Sequence, residues 1–324
     1  MTVRLGLIGA GGIARHHLER LNRIEDAQVV RVYDVHAEQA AKLAEEIGAD
    51  VSTSAEQLLD KREIDALLIC APQFARGQLE ELAASRGIHL LVEKPLGLNM
   101  EEVLRKQQAV QKSGIIHSVG YCLRYLDTVR KAKAYLQGKS IHLIQIQRFG
   151  TMHPSKWWSQ LDMSGGFLVD AVTHQVDLVR YLIGEFSDVY ANFGRNSIQA
   201  EAPESTIYDG GALSFTMRNG AVGTITESCV SPYNGESEIK FFGPDYYVSL
   251  SVNGLELTIT DAGGTVSETA KFDATFEQDR AFVEALKGGS QLPVLCDYAD
   301  AARTLAFTLA ANQSAIQRSP IELN

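Results

Sequence analysis

The sequence predicts an α/β chain of two domains, an N-terminal doubly wound parallel sheet followed by an α+β domain with a large, mainly antiparallel sheet. Three observations predict it. Short apolar strands alternate with helical segments over roughly the first third of the 324 residues, a glycine-rich turn follows the first strand, and after residue 136 the pattern changes to longer β segments. Strands separated by helical crossovers make a parallel sheet covered on both faces, whereas a strand-rich stretch with few helices makes an α+β domain.

Residues 3–8 read as a fully buried strand, and the turn from Gly9 leads into a helix running through His17 to Arg23. Residues 28–33 form the next strand, 37–47 a helix, 65–70 a strand, 73–85 a helix and 88–92 a strand. The helix 100–113 and the strand 115–119 complete the first domain, which places the boundary near Gly120. The expected division is therefore 1–120 for dinucleotide binding and 121–324 for substrate binding and oligomerisation. In the second part a helix around 125–136 precedes strands at 141–149, 189–197, 211–217, 221–229 and 238–242. Asn219-Gly220 suits a tight hairpin, the Gly and Ser residues near 261–268 read as turns, and 299–316 reads as a final alanine-rich helix able to pack back near the first domain.

The 45% hydrophobic composition supplies more than one core. Thirty Lys and Arg against forty Asp and Glu give a net charge of -10, which opposes broad contact with nucleic acid or an anionic membrane. The four cysteines form no CxxC pair and no secreted framework, so reduced thiols are expected. No apolar run reaches the length of a membrane span, and the glycine-broken N-terminal run reads as a strand, not a signal peptide. A soluble, cytoplasmic protein is the expectation.

Gly9, Gly11 and Ala14 form a GxGxxA pattern after a strand and at a helix start. The first glycine permits the tight turn, the second lets the backbone approach a pyrophosphate, and the alanine allows close helix packing; helix N-terminal amides then meet the phosphate charge. Asp34 ends the next strand, 25 residues after Gly9, where an acid receives ribose hydroxyls and repels a 2′-phosphate. The expected cofactor is NAD.

With that pattern in place, Glu93-Lys94-Pro95, the GYCLRY segment from Gly120, and GGFLVD at 165–170 followed by His174 and Asp177 resemble the Gfo/Idh/MocA oxidoreductase family over nearly the whole chain. The resemblance implies a cis peptide between Lys94 and Pro95, a substrate-facing Lys94 near the nicotinamide, and a catalytic acid and imidazole at Asp170 and His174. It also implies a sugar, inositol or related polyol as substrate, and a homodimer or homotetramer paired through the open face of the second sheet. The sequence departs from the family pattern at Pro72-Gln73 and Arg76, where Pro-Asn followed by His is common, and at Val172, often Gly.

Oxidising a secondary alcohol removes its hydroxyl proton while hydride leaves the same carbon. His174 is the candidate general base, since an ordinary imidazole titrates at about pH 6.5. Asp170, four residues earlier on a predicted helix, holds a substrate hydroxyl, and Lys94 donates to the reacting oxygen. Asp177 supports the same helix face or makes a salt bridge. Tyr121, Arg124 and Lys156 are further substrate-binding candidates, and Trp157 and Trp158 either border the sugar or pack in the core. The cofactor-binding set is Gly9, Gly11, Gly12, Ile13, Ala14 and Asp34 with Ala71, Pro72, Glu93 and Lys94. Asp170, His174, Asp177 and His153 lack the spacing of a zinc site, so no metal is expected. An NADPH-dependent sugar or imine reductase and a non-catalytic nucleotide-binding regulator are the competing readings.

Overall fold

The computed structural model describes residues 2–289 and 292–323. It comprises two compact units: Met1–Cys122 with Asp273–Ala302, and Leu123–Phe272 with Arg303–Asn324. The expected single span 121–324 is therefore interrupted, because residues 273–302 belong with the first unit.

In the first unit, strands β1 (Val3–Ile8), β2 (Ala27–Tyr33), β3 (Asp50–Val51), β4 (Ala66–Ile69), β5 (His89–Val92) and β6 (His117–Val119) form one sheet ordered β3-β2-β1-β4-β5-β6. Every pair in it is parallel. β4 is buried at all positions, as a central strand covered on both faces must be. Helices α1 (Gly12–Leu21), α2 (Ala37–Ile47), α3 (Leu79–Ser85) and α4 (Met100–Ser113) make the crossovers. The Asn99 side chain accepts the N–H groups of Glu101 and Glu102 at the start of α4, which ends at Gly114 in the left-handed region. The expected helix over 73–85 is broken: a 3-10 turn at Gln73–Ala75 is separated from α3 by Gly77, whose φ of 50° ends any helical run. The chain order reverses between β1 and β4, and in open parallel sheets ligands bind beyond the carboxyl ends of the strands at such a reversal.

In the second unit, α5 (Asp127–Leu136) and α6 (Thr173–Ile183) accompany a nine-stranded sheet. Its strands are β7 (Leu143–Phe149), β8 (Phe186–Gly194), β9 (Gly210–Met217), β10 (Val222–Ser228), β11 (Ser237–Phe242), β12 (Tyr247–Ser251), β13 (Glu256–Asp261), β14 (Gly264–Thr269) and β15 (Ile321–Glu322). All neighbours are antiparallel except β7 and β10. Ile144 and Ile146, Leu213 and Phe215, and Ile225 and Ile239 are buried, while the alternate Gln145, Ser214 and Thr224 are exposed, giving one covered and one open face. Asn219-Gly220 turns β9 into β10, with Gly220 at φ 89°. The turn expected over 261–268 is confined to residues 262–263, and 264–269 is a paired strand.

Two helices complete the chain, α7 (Ala274–Leu286) and α8 (Tyr298–Gln317). Asp273 caps α7 by accepting the Phe276 N–H, and Phe282 and Val283 enter the core of the first unit with Leu5, Leu7 and Leu68. The first turn of α8 belongs to the first unit and the remainder to the second. The four cysteines are free thiols. Among the described residues no helix is long and apolar enough to cross a membrane.

Candidate active site

The first unit holds the nucleotide motif. Gly9 sits at φ 95°, and a Cβ there would lie 2.8 Å from the Ala71 nitrogen and from the Cys70 carbonyl carbon, so the turn requires glycine. Gly11 is the N-cap of α1 with no side chain capping it, and a Cβ on Gly11 or Gly12 would meet nothing within 4 Å. The first-turn amides of α1 therefore border open space, the cradle that a pyrophosphate needs. Ala14 is fully buried beneath that turn, whereas Ile13 is exposed. Asp34 accepts the Ala10 N–H at 2.7 Å through one carboxylate oxygen and the His36 N–H at 2.8 Å through the other. Each oxygen keeps acceptor capacity for a ribose hydroxyl.

Ala71 and Pro72 follow β4, and Glu93 and Lys94 follow β5, all of them half-buried. The Lys94-Pro95 peptide is cis, as the resemblance implied. Arg76 is buried and links these two segments: its Nε donates to the Ala71 carbonyl at 2.9 Å and a terminal nitrogen donates to the Pro95 carbonyl at 2.8 Å. The departure at that position is thus a structural tie between two walls of the proposed cofactor site. Tyr121 is only 1% exposed.

A second cluster lies behind Glu93. His17, on α1, is buried with Nδ1 at 2.8 Å from Asp279 on α7 and Nε2 at 3.1 Å from Glu93. Burial works against a charged ring, but the charge of Asp279 and the hydrogen bonds to Asp279 and Glu93 outweigh it and lift His17 to about 10. The other Glu93 oxygen accepts the Lys94 backbone N–H at 3.2 Å. Sequence reasoning read His17 only as a helical residue and passed over Asp279.

The second unit holds Arg124, Lys156, Asp170, His174 and Asp177. Asp170 lies in a π-helical turn, Leu168–Val172, and His174 is the second residue of α6. The expected regular helix is therefore wider where Asp170 sits, a deviation found often at functional sites. Both side chains are half-buried. Trp158 Nε1 donates to Asp170 at 2.8 Å, and Trp158 packs edge-on against Phe167, which fixes the carboxylate. Arg124 makes a two-pronged pair with Asp177, at 2.8 and 2.6 Å, and Thr304 donates to Asp177 at 2.9 Å. Lys156 is exposed in a short 3-10 turn. Among the described residues no three His, Cys, Asp or Glu side chains gather as a metal site.

Comparison with known proteins agrees with this architecture. The model of the Gfo/Idh/MocA oxidoreductase family, NAD-binding Rossmann fold, matches residues 3–121, and that of the family's C-terminal domain matches 131–248. The chain is similar to myo-inositol 2-dehydrogenase of Thermotoga maritima, 25% identical over 99% of this chain and 98% of that protein. It is also similar to scyllo-inositol 2-dehydrogenase (NAD(+)) of Bacillus subtilis, 26% identical over 99% of this chain and 96% of that protein. The solved structure of UDP-N-acetylglucosamine 3-dehydrogenase from Acidithiobacillus ferrooxidans is 25% identical, covers 97% of this chain and 98% of its own, and matches with a TM-score of 0.83. With both domain models matched in order and the glycine cradle, Asp34 and the cis Lys94-Pro95 bond in place, the chain belongs to the Gfo/Idh/MocA oxidoreductase family, its NAD-binding Rossmann fold spanning residues 3–121.

Proposed function

We propose that this NAD-dependent oxidoreductase oxidises a secondary hydroxyl on a sugar, inositol or related polyol, with Lys94, Asp170 and His174 carrying the reaction. The observation that carries the proposal is the setting of Asp170 and His174. Both occupy the turn where a π-helical segment passes into α6, with the carboxylate already oriented by Trp158. NAD, when bound, supplies the hydride acceptor. His174 takes the hydroxyl proton as general base, Lys94 donates to the same oxygen as negative charge develops there, and Asp170 accepts a hydrogen bond from a substrate hydroxyl. The inositol 2-dehydrogenases at 25% and 26% identity support a cyclic polyol or sugar over an imine.

Asp34 supports NAD over NADP: its carboxylate is held by two backbone N–H groups at the end of β2, and its charge opposes a 2′-phosphate. For the assembly, the open face of the nine-stranded sheet, with Gln145, Ser214, Thr224 and the half-exposed Val222, is the proposed surface for a homodimer or homotetramer, testable by light scattering.

The functional test is formation of reduced cofactor by purified protein, with NAD and NADP supplied separately to a panel of inositols, aldoses, deoxysugars, uronic acids and nucleotide-linked sugars. Turnover with NAD on one hydroxylated class is expected. Turnover with NADP alone would overturn the Asp34 argument, and tight NADH binding with no turnover on any class would favour a regulatory role.

A further inference from the structure

We propose that His17 and Asp279 form a positioning device for the reactive lysine: the imidazole, anchored by Asp279, grips the Glu93 carboxylate, and Glu93 grips the backbone of Lys94. The inference rests on the assignment of Lys94 to the reaction made above. Its geometry lies wholly within the first unit.

The two oxygens of Glu93 are divided between two donors. Oε1 faces His17 Nε2 at 3.1 Å and Oε2 accepts the Lys94 N–H at 3.2 Å. A carboxylate held at both oxygens fixes its own torsions and also the peptide plane that begins Lys94. The ring that holds it is fixed in turn, because Nδ1 lies 3.0 and 2.8 Å from the two oxygens of Asp279, and Gln278 Nε2 approaches one of them at 3.4 Å. With carboxylates at both ring nitrogens, each nitrogen acts as an N–H donor, so the ring is an imidazolium between two anions. Around this cluster the backbone is shaped to fit: a Cβ at Gly120 would lie 2.5 Å from Glu93 Oε1, so the chain leaving β6 makes room for the carboxylate.

The placement is informative. His17 is carried by α1, the helix whose first turn borders the glycine cradle, and Asp279 by α7, which returns to the first unit from far along the chain. One buried imidazolium thus ties the phosphate-binding helix to the turn bearing Lys94. A buried ion cluster is seldom more stabilising than apolar packing of the same volume. What apolar packing could not supply is a directional hold on the Lys94 peptide, and small displacements of a reacting group are costly in rate. Lys94 is the catalytic residue in this scheme; His17, Asp279 and Glu93 are positioning residues.

The test uses the full chain and the variants H17Q, D279N and E93Q, each alone and combined with K94A. Turnover, substrate KM, NADH affinity by fluorescence, thermal midpoint and 15N-histidine spectra are measured. In H17Q the expected result is a fall in kcat of roughly tenfold to a hundredfold, with substrate KM and NADH affinity changed by no more than about threefold. In the K94A background H17Q lowers the residual rate no further, because the group it positions is gone. The wild-type spectrum shows one imidazole protonated at both nitrogens at pH 8, missing from H17Q. Should H17Q fail to fold, E93Q, equal in size to glutamate, carries only the kcat comparison with and without Lys94. The device is refuted if H17Q or E93Q folds and keeps wild-type kcat while K94A is crippled, or if each costs the same factor with and without Lys94. Wild-type kcat in K94A itself would instead overturn the assignment of Lys94, and the device with it.

Discussion

Arg124 is a substrate-binding candidate by the hydrogen-bonding reach of its side chain, yet that side chain is 1% exposed and pairs with Asp177 through two hydrogen bonds of 2.8 and 2.6 Å. Its cationic face also lies 4.9 Å from the centre of the Tyr181 ring. The perturbation that separates the two roles is Asp177→Asn, which keeps the volume and removes the charge. It leaves a guanidinium buried without its carboxylate, and breaking a buried pair from one side costs about 3–5 kcal/mol. For a protein part of this size, each kcal/mol lowers the midpoint by about 2–4 °C, so D177N should melt roughly 6–20 °C below wild type. R124M should also melt below wild type, since Asp177 would lose both hydrogen bonds from the guanidinium and keep the one from Thr304. The double variant R124M/D177L should melt higher than either single variant, because removing both charges leaves no unpaired ion. Thermal melts followed by circular dichroism measure all three, with substrate KM measured on whatever remains folded at the assay temperature. A D177N or R124M protein that melts within about 1 °C of wild type while its substrate KM rises more than about tenfold would return Arg124 to substrate binding and refute the structural role.

Other consequences are equally open to measurement. Gly9→Ala places a side chain at φ 95° against the backbone of Cys70 and Ala71; the conformation alone costs about 1–2 kcal/mol, so both the midpoint and NADH affinity should fall. Gly11→Ala meets no protein atom within 4 Å, so the midpoint should hold while NADH binds at least about tenfold more weakly; unchanged NADH binding would remove the pyrophosphate from this cradle. Asp34→Ala should weaken NAD binding and narrow the preference for NAD over NADP, read from the ratio of kcat/KM values for the two cofactors. Glu227 on β10 is buried, one of its oxygens has no hydrogen-bond partner among the described residues, and burial pushes its carboxyl up to about 8. Between the ordinary carboxyl range and that value the folded chain retains a proton that the unfolded chain has released, so stability falls as pH rises through the window. Glu227→Gln should therefore be more stable than wild type at pH 8, by up to on the order of 5 kcal/mol, and converge with it near pH 4–5; a stability difference that does not change across that range would contradict it.

The parts of this fold legible in the sequence are those specified by local pattern. β1 and β4 read as strands because buried parallel strands are nearly continuous apolar runs, and the glycine turn was legible because Gly9 and Gly11 answer a steric need within a few residues. β13 and β14 were not, since ELTITD and GTVSET are short and polar on their open side, and Gly263-Gly264 masks the hairpin as a loop. The helix 274–286 was missed for a related reason: its apolar face, including Phe282 and Val283, acquires meaning only when the chain returns to the first core.

The polar ties are illegible for a deeper reason. His17 and Asp279 are 262 residues apart and Arg124 and Asp177 are 53 apart, and nothing in the spacing of charges says which of them will be buried together. Burial makes such pairs obligatory, since an ion taken from water without its partner is too costly to keep. A motif therefore marks Glu93-Lys94-Pro95, but the buried partners of Glu93 are chosen by the topology that brings α1, α7 and the end of β5 to one point. In this chain the motif residues are read along the sequence and their buried partners only across it.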